Sequence, residues 1–279
     1  MKIKNKKLRI FLSRKVSVIA AFVLIIMIFA AFAGPYLTLY DPVAVNPRSA
    51  HQGISAEHWL GTDVLGRDSF TRIIHGGQLS IGLALFGVSI GVSFGLIFGL
   101  ISGYYGGILD VLLSRFIDSL MAVPAFMIAI ISLAFLGSGG INTGIAVGIS
   151  TIPLFMRITR AGVLSVKEAD YIKSCRIMGL SNLRIILIHI LPGVMPLIVV
   201  TFTLQLGTAM LTASALAFLG IGVNPPAIEW GSMVSAGRPA MLSSPLGIIA
   251  PGLAITLFVI CTSLVGDGLR DALDPKSAE

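Results

Sequence analysis

The 279-residue chain predicts an all-α integral membrane protein with about six transmembrane helices. Three observations carry that expectation. Hydrophobic residues make up 55% and charged residues only 12%, against roughly 25% charged in a soluble domain. Five long stretches contain no Asp, Glu, Lys or Arg: 16–40, 79–109, 119–156, 191–228 and 239–266. Basic residues also fall unevenly between alternate connecting segments, as expected of a membrane protein with a defined orientation.

In chain order, residues 1–15 form a basic N-terminus holding 7 of the 20 Lys and Arg residues, placed to meet anionic lipid rather than nucleic acid. A first span is expected at 16–39. Ala31-Phe32-Ala33 gives it some likeness to a cleavable leader, but its uncharged run exceeds the usual 7 to 15 residues, so it is read as a retained helix. Residues 40–78 form an extracytoplasmic loop. A core of five helices at 79–267 follows, with spans at 79–103, 116–136, 141–159, 192–213 and 246–267 and a cytoplasmic loop at 160–191. Gly137-Ser138-Gly139-Gly140 marks the turn between the middle pair. A cytoplasmic tail at 268–279 closes the chain.

This arrangement puts sixteen basic residues inside, namely seven at the N-terminus, Arg115, six between Arg157 and Arg184, Arg270 and Lys276. Only Arg48, Arg67, Arg72 and Arg238 lie outside. Both termini are therefore expected in the cytoplasm. The second span carries glycine at 87, 91, 95, 99 and 103, one slowly winding face on which another helix can approach closely, within the chain or across a dimer.

Enzyme signatures are missing. The two Gly-x-Ser-x-Gly runs at 87–95 lie in a membrane helix rather than at a strand-to-helix turn. Cys175 and Cys261 have no metal or disulfide spacing. His51, His58, His75 and His189 are divided between the two sides. The one acidic cluster, Asp267, Asp271 and Asp274, has the helical spacing of an Mg²⁺-dependent membrane enzyme, although a charged helix terminus explains it more simply.

The stretch 168–192, EADYIKSCRIMGLSNLRIILIHILP, is a charged segment between apolar regions. Gly179 has the position of a helix stop and Ser181 that of the next N-cap. Leu183, Ile186, Leu187 and Ile190 recur on one face until Pro192, so two short helices joined at Gly179 are expected.

The small residues before Gly179, with Leu191-Pro192 beyond it, resemble the loop by which ABC importer permeases contact their ATPase subunits. LGTDVLGRDSFTRI at 60–73, SALAFLGIGVNPPAIEWGSM at 214–233 and GDGLRDALDP at 266–275 extend the likeness. Together they resemble the dipeptide and oligopeptide branch of that family, over about 57–275. The resemblance implies the type I ABC importer permease fold and the role of the second, shorter permease subunit. Its implied partners are a homologous permease, two cytoplasmic ATPases and an extracytoplasmic substrate-binding protein in a bacterial or archaeal cell membrane. No cofactor is expected on this chain, since ATP and Mg²⁺ belong to the ATPases.

Under this resemblance Asp170, Lys173, Ser174, Cys175, Gly179, Leu191 and Pro192 form the ATPase-coupling segment. Lys173-Ser174-Cys175 stands where many relatives have Glu-Ala-Ala, which removes any salt bridge made by that glutamate. Pro225 and Pro226 stiffen the segment before Glu229 and Trp230. These two residues are expected at the outer gate or the binding-protein dock, with a plain lipid anchor as the alternative reading of Trp230. Cargo is expected to be a di- or oligopeptide, carried by alternating access. Glutathione, nickel or another metal chelate remain alternatives. A membrane enzyme using the aspartates and a stand-alone carrier are the rivals of different class.

Overall fold

The structure, a computed structural model, describes residues 6–274; the expectations resting on Lys2, Lys4 and Lys276 lie outside those residues. Among the described residues the elements are helical, in the order α1 (Lys6–Ser13), α2 (Lys15–Leu37), α3 (Ser69–Tyr105), α4 (Gly107–Met121), α5 (Ala125–Leu136), α6 (Gly140–Lys167), α7 (Asp170–Ile177), α8 (Asn182–Arg184), α9 (Leu191–Phe218), α10 (Trp230–Gly237) and α11 (Leu246–Leu273). Five helical stretches are long and apolar enough to cross a membrane, and a sixth is so if the bent pair α4 and α5 counts as one. The end of the bundle carrying α1 and α7 is called the near end, and that carrying the 38–68 loop and α10 the far end.

The central seam joins α3 to α6. Methyl groups added at Gly87 and Gly103 would lie 2.7 Å from Val147 and Val163 side chains, and one at Gly95 would lie 2.8 Å from the Met156 backbone nitrogen. The glycine series therefore packs within the chain. Gly148 returns the fit by receiving Ile90. Contacts at this range exploit the short-range packing that holds helices together in lipid.

Two expected spans change. The second span starts at Ser69 rather than 79, because Asp68 caps α3 through the Thr71 N–H at 2.7 Å. Arg72 is tolerated in its first turn, donating to the Pro42 carbonyl at 2.7 Å and lying 3.5 Å from Asp63. The span expected at 116–136 is not straight: α4 and α5 meet at 95° across Ala122-Val123-Pro124. Proline disfavours helical geometry in the residue before it. Arg160 of α6 also holds Asp110 at the start of α4 by two bonds of 2.5 and 2.7 Å. The 12 residues of α5 reach only about 18 Å, short of the roughly 30 Å bilayer core.

The second short helix expected after Gly179 is instead the start of a continuous one. Helix α8 runs through a π-helical turn, Ile185–Ile190, directly into α9. Pro192 does not end it, since the widened turn gives the ring room and the missing N–H falls where the helical pattern changes.

Two apolar clusters follow. The larger, at the far end, gathers Ile81, Val88, Phe155, Met210, Leu216, Phe258 and Trp230. The smaller, at the near end, gathers Leu100, Tyr104, Val163, Ile172, Ile185, Ile190 and Val194. It fastens α7 to the bundle.

Candidate functional site: the near-end handle and the far-end segment

Helix α7 begins with Asp170, whose charge suits a helix N-terminus, and ends in a glycine-centred stop. The Leu180 N–H donates to the Cys175 carbonyl at 3.2 Å and the Gly179 N–H to that of Arg176 at 3.0 Å, with Gly179 at φ 77°. That pairing needs a left-handed residue, which glycine adopts without strain. Ser181 sits at the N-cap of α8, but its side chain makes no capping bond there.

The handle has two faces. Ile172 and Cys175 point into the bundle with Ile185 and Ile190, so Cys175 is not on the outward contact surface expected for it. The Tyr104 hydroxyl donates to Asn182 Oδ1 at 2.7 Å, the Arg176 guanidinium lies 5.3 Å over the Tyr104 ring, and Lys167 Nζ donates to the Gly103 carbonyl at 3.2 Å. The other face is uncovered. Ile177 is 87% exposed, Met178 67% and Leu183 66%, around a Gly179 with open space beside it. Lys173 and Ser174 are exposed on α7, with Lys173 Nζ 3.3 Å from Asp170 and the Ser174 hydroxyl donating to the Asp170 carbonyl. Leu183, Ile186, Leu187 and Ile190 do not share the one face expected of them: Ile186 and Ile190 are buried with Ile185, while Leu183 and Leu187 are exposed, because the π turn shifts the helical repeat. Leu191 is half-buried and Pro192 exposed, both on the helix leaving the handle.

At the far end Glu229 is 0% exposed. Its Oε1 accepts from the Ser80 hydroxyl at 3.2 Å and the Ser214 hydroxyl at 3.1 Å, and its Oε2 from the Ser232 N–H at 2.8 Å, capping α10. Burial pushes the Glu229 carboxyl above its usual range, opposed by the Gly231 and Ser232 N–H groups and both hydroxyls. Trp230 is buried beside it: its backbone N–H donates to Ser80 Oγ at 3.0 Å and its indole N–H to the Ile73 carbonyl at 2.8 Å. The ring lies over Gly76 and Gly77. Side chains expected to meet a docking protein or lipid are thus interior ones. Ser80, 149 residues away in sequence, could not be paired with Glu229 from local pattern.

The model of the family described as binding-protein-dependent transport system inner membrane component matches residues 95–279. The chain belongs to this family. Residues 7–53 also match the N-terminal TM domain of oligopeptide transport permease C. Among its relatives is a dipeptide transport system permease protein of Alkalihalophilus pseudofirmus, 43% identical over 94% of this chain and 86% of that protein. Glutathione transport system permease proteins of Pectobacterium atrosepticum and Shigella flexneri are 42% and 45% identical, over 96% and 92% of this chain and 89% and 85% of theirs. The inward-facing MetNI methionine ABC transporter has a chain of the same fold, with a TM-score of 0.60 at 16% identity, over 73% of this chain and 96% of that one.

The chain is thus a multi-pass permease of a binding-protein-dependent ABC importer, a class that works with ATPase and substrate-binding partners. The terminal aspartates fit this reading, for Asp271 pairs with Arg14 where α11 meets α1, and Asp267 is exposed. Among the described residues no group of three His, Cys, Asp or Glu side chains could hold a metal ion.

Proposed function

We propose that this permease imports short peptides, glutathione among them, as one of two unlike permease subunits in a cell membrane, with both termini in the cytoplasm. Cargo chemistry is supported by relatives named for dipeptides and for glutathione, itself a tripeptide. The orientation is supported by the sixteen-to-four division of basic residues.

One observation carries the mechanism: the apolar rim of Ile177, Met178 and Leu183 on a segment whose opposite face is packed into the bundle. Uncovered apolar side chains on a short helix fit a groove on another protein. In this reading an ATPase takes the handle, and Asp170, Lys173, Ser174, Gly179 and the leaving turn at Leu191-Pro192 convert its closure into movement of α9. Cys175 contributes from the inner face, holding α7 to α9. ATP hydrolysis and its Mg²⁺ belong to the ATPase subunits. Glu229 and Trp230 serve the far-end gate by holding α10 against α3 and α9 rather than by touching a docked protein.

The test is reconstitution of both permeases and two ATPases in liposomes with the binding protein outside. ATP-dependent uptake of labelled dipeptide and of labelled glutathione is expected, with a Met178→Cys variant crosslinking to an ATPase groove cysteine. Uptake without ATPases, or crosslinking of that cysteine only to lipid-phase reagents, would reject the assignment. In intact cells an impermeant thiol reagent is expected to label Glu57→Cys and spare Lys173→Cys.

A further inference from the structure

Helix α9 carries the handle at one end and an unusual set of polar groups at its middle. Gln205 lies at the midpoint of Leu191–Phe218, about 20 Å from either end at 1.5 Å per residue. Thr208 and Thr212 follow at offsets of three and seven, which brings all three side chains to one face. That face is not covered by this chain: Gln205 and Thr212 are partly exposed and Thr208 is exposed.

Hydrogen bonding distinguishes Gln205 and Thr208 from polar residues that lipid tolerates. A hydroxyl on a lipid-facing helix satisfies itself by donating to the carbonyl four residues back. Ser89, Ser93, Thr203 and Thr256 all do so, at 2.7 to 3.0 Å, as does Thr212 on the polar face itself. The Gln205 amide and the Thr208 hydroxyl make no hydrogen bond among the described residues. An amide has two donors and an acceptor that no backbone turn can satisfy together. In hydrocarbon at mid-bilayer such a group is strongly disfavoured, so polar side chains there face water or a polar partner.

The surroundings favour water over a tight helix seam. The α3–α6 seam shows what this chain does where backbones meet: it places glycine on every turn. The α9 surface instead carries Leu211, 51% exposed, one turn from Thr208. A branched side chain of that size keeps a neighbouring backbone at a distance.

We infer that the Gln205, Thr208 and Thr212 face of α9 lines the cargo route, where Gln205 and Thr208 exchange hydrogen bonds with the backbone amides of a passing peptide. The inference rests on the importer reading above. Donor and acceptor groups with no net charge suit cargo that varies in side chains but keeps its peptide groups. They hold it without trapping it. Because the handle and these residues share one continuous helix, movement of the handle reorients this face.

The test uses the assembled transporter, with Cys175→Ser and Cys261→Ser as background and single cysteines at Gln205, Thr208, Thr212 and the control Phe135, which is 87% exposed on the α5 surface. The probe is methanethiosulfonate-ethyltrimethylammonium, a small cation that does not enter lipid. Expected results are labelling at positions 205, 208 and 212, a change of at least threefold in labelling rate between nucleotide-free and ATP-vanadate states, and no labelling at 135. Labelling at 205 or 208 is expected to block dipeptide uptake. Gln205→Leu is expected to lower uptake at least tenfold with subunit copurification unchanged, while Gln205→Asn retains most uptake.

If the assembled transporter takes up peptide but positions 205, 208 and 212 react only with a lipid-soluble maleimide, or crosslink to the second permease in every nucleotide state, the route inference is overturned. If the parent complex with native residues shows no ATP-driven peptide uptake, the failure lies with the importer reading. Labelling at these positions, tracking the nucleotide state, would then still establish a water-filled face.

Discussion

The far-end segment and the near-end handle are both short helices entered through a polar turn, yet they are built in opposite ways. Helix α10 turns its most polar and its largest side chains inward, where Glu229 bridges Ser80 and Ser214 and the Trp230 ring covers Gly76 and Gly77. Helix α7 buries Ile172 and Cys175 but leaves Ile177 and Met178 bare at its end. The first is complete within this chain; the second is finished only on one side. A segment that stays with the bundle can afford buried polar bonds, whereas one that receives a partner keeps apolar surface in reserve.

The sharpest way to break this comparison is to empty the far-end segment. Trp230→Ala removes a buried ring and leaves the Ile73 carbonyl without its indole donor. A loss of about 3–5 kcal/mol is expected for a buried aromatic. The midpoint of heat-induced loss of the monodisperse complex in detergent should fall steeply, with ATPase binding to surviving protein intact.

Glu229 separates polar bonding from charge. Because burial raises its folded-state value, the stability it contributes is fully present below the unfolded carboxylate range and is lost as pH rises through the folded value. Glu229→Gln keeps an acceptor but cannot ionise. Its cost relative to the native residue should therefore shrink toward alkaline pH. Glu229→Ala should cost about 1–3 kcal/mol at acid pH, because two hydroxyls and an N–H lose their acceptor. Melting midpoints measured across pH read both effects.

Two glycines isolate the backbone contribution. A methyl at Gly231 would lie 2.6 Å from Ser214 Cα, so Gly231→Ala must push α10 from α9, at about 1–3 kcal/mol as overpacking does. Gly179 has nothing within 4 Å of that position but holds φ at 77°. Gly179→Ala should cost only about 1 kcal/mol in stability, from backbone strain. It should nevertheless redirect α8 and lower uptake per ATP hydrolysed, an effect Gly231→Ala produces only in proportion to lost protein.

Much of this was legible in the residues themselves. Gly179 announces a helix stop by its type and place, and the glycine series from 87 to 103 announces a close seam before its partner is known. What could not be read is pairing at a distance. Glu229 gives no local sign that Ser80 waits 149 positions earlier, so its charge suggested surface. The third span, expected unbroken at 116–136, bends before Pro124, and the direction of α4 goes with the Asp110–Arg160 bond, across 50 positions. At the handle a fixed helical period puts Leu183 and Leu187 on the face of Ile186 and Ile190. The π turn at Ile185–Ile190 changes that period, and nothing in five apolar residues around one histidine marks it.

The smallest effect expected on stability is the most informative about function. Ile177 is 87% exposed and Met178 67%, so Ile177→Glu and Met178→Glu remove almost no packing within this chain. Substitutions at such positions usually stay within about 0.5 kcal/mol. If the rim is the ATPase surface, a carboxylate there must be desolvated when the groove closes over it, a cost the folded subunit alone never meets. Unchanged melting together with loss of ATPase copurification and of peptide uptake is therefore expected. A charge at Leu187, on the exposed side of the π turn, should leave both intact if that side meets lipid headgroups instead. Should Ile177→Glu retain full uptake, the bare rim would be ordinary exposed surface and the two segments would differ only in burial.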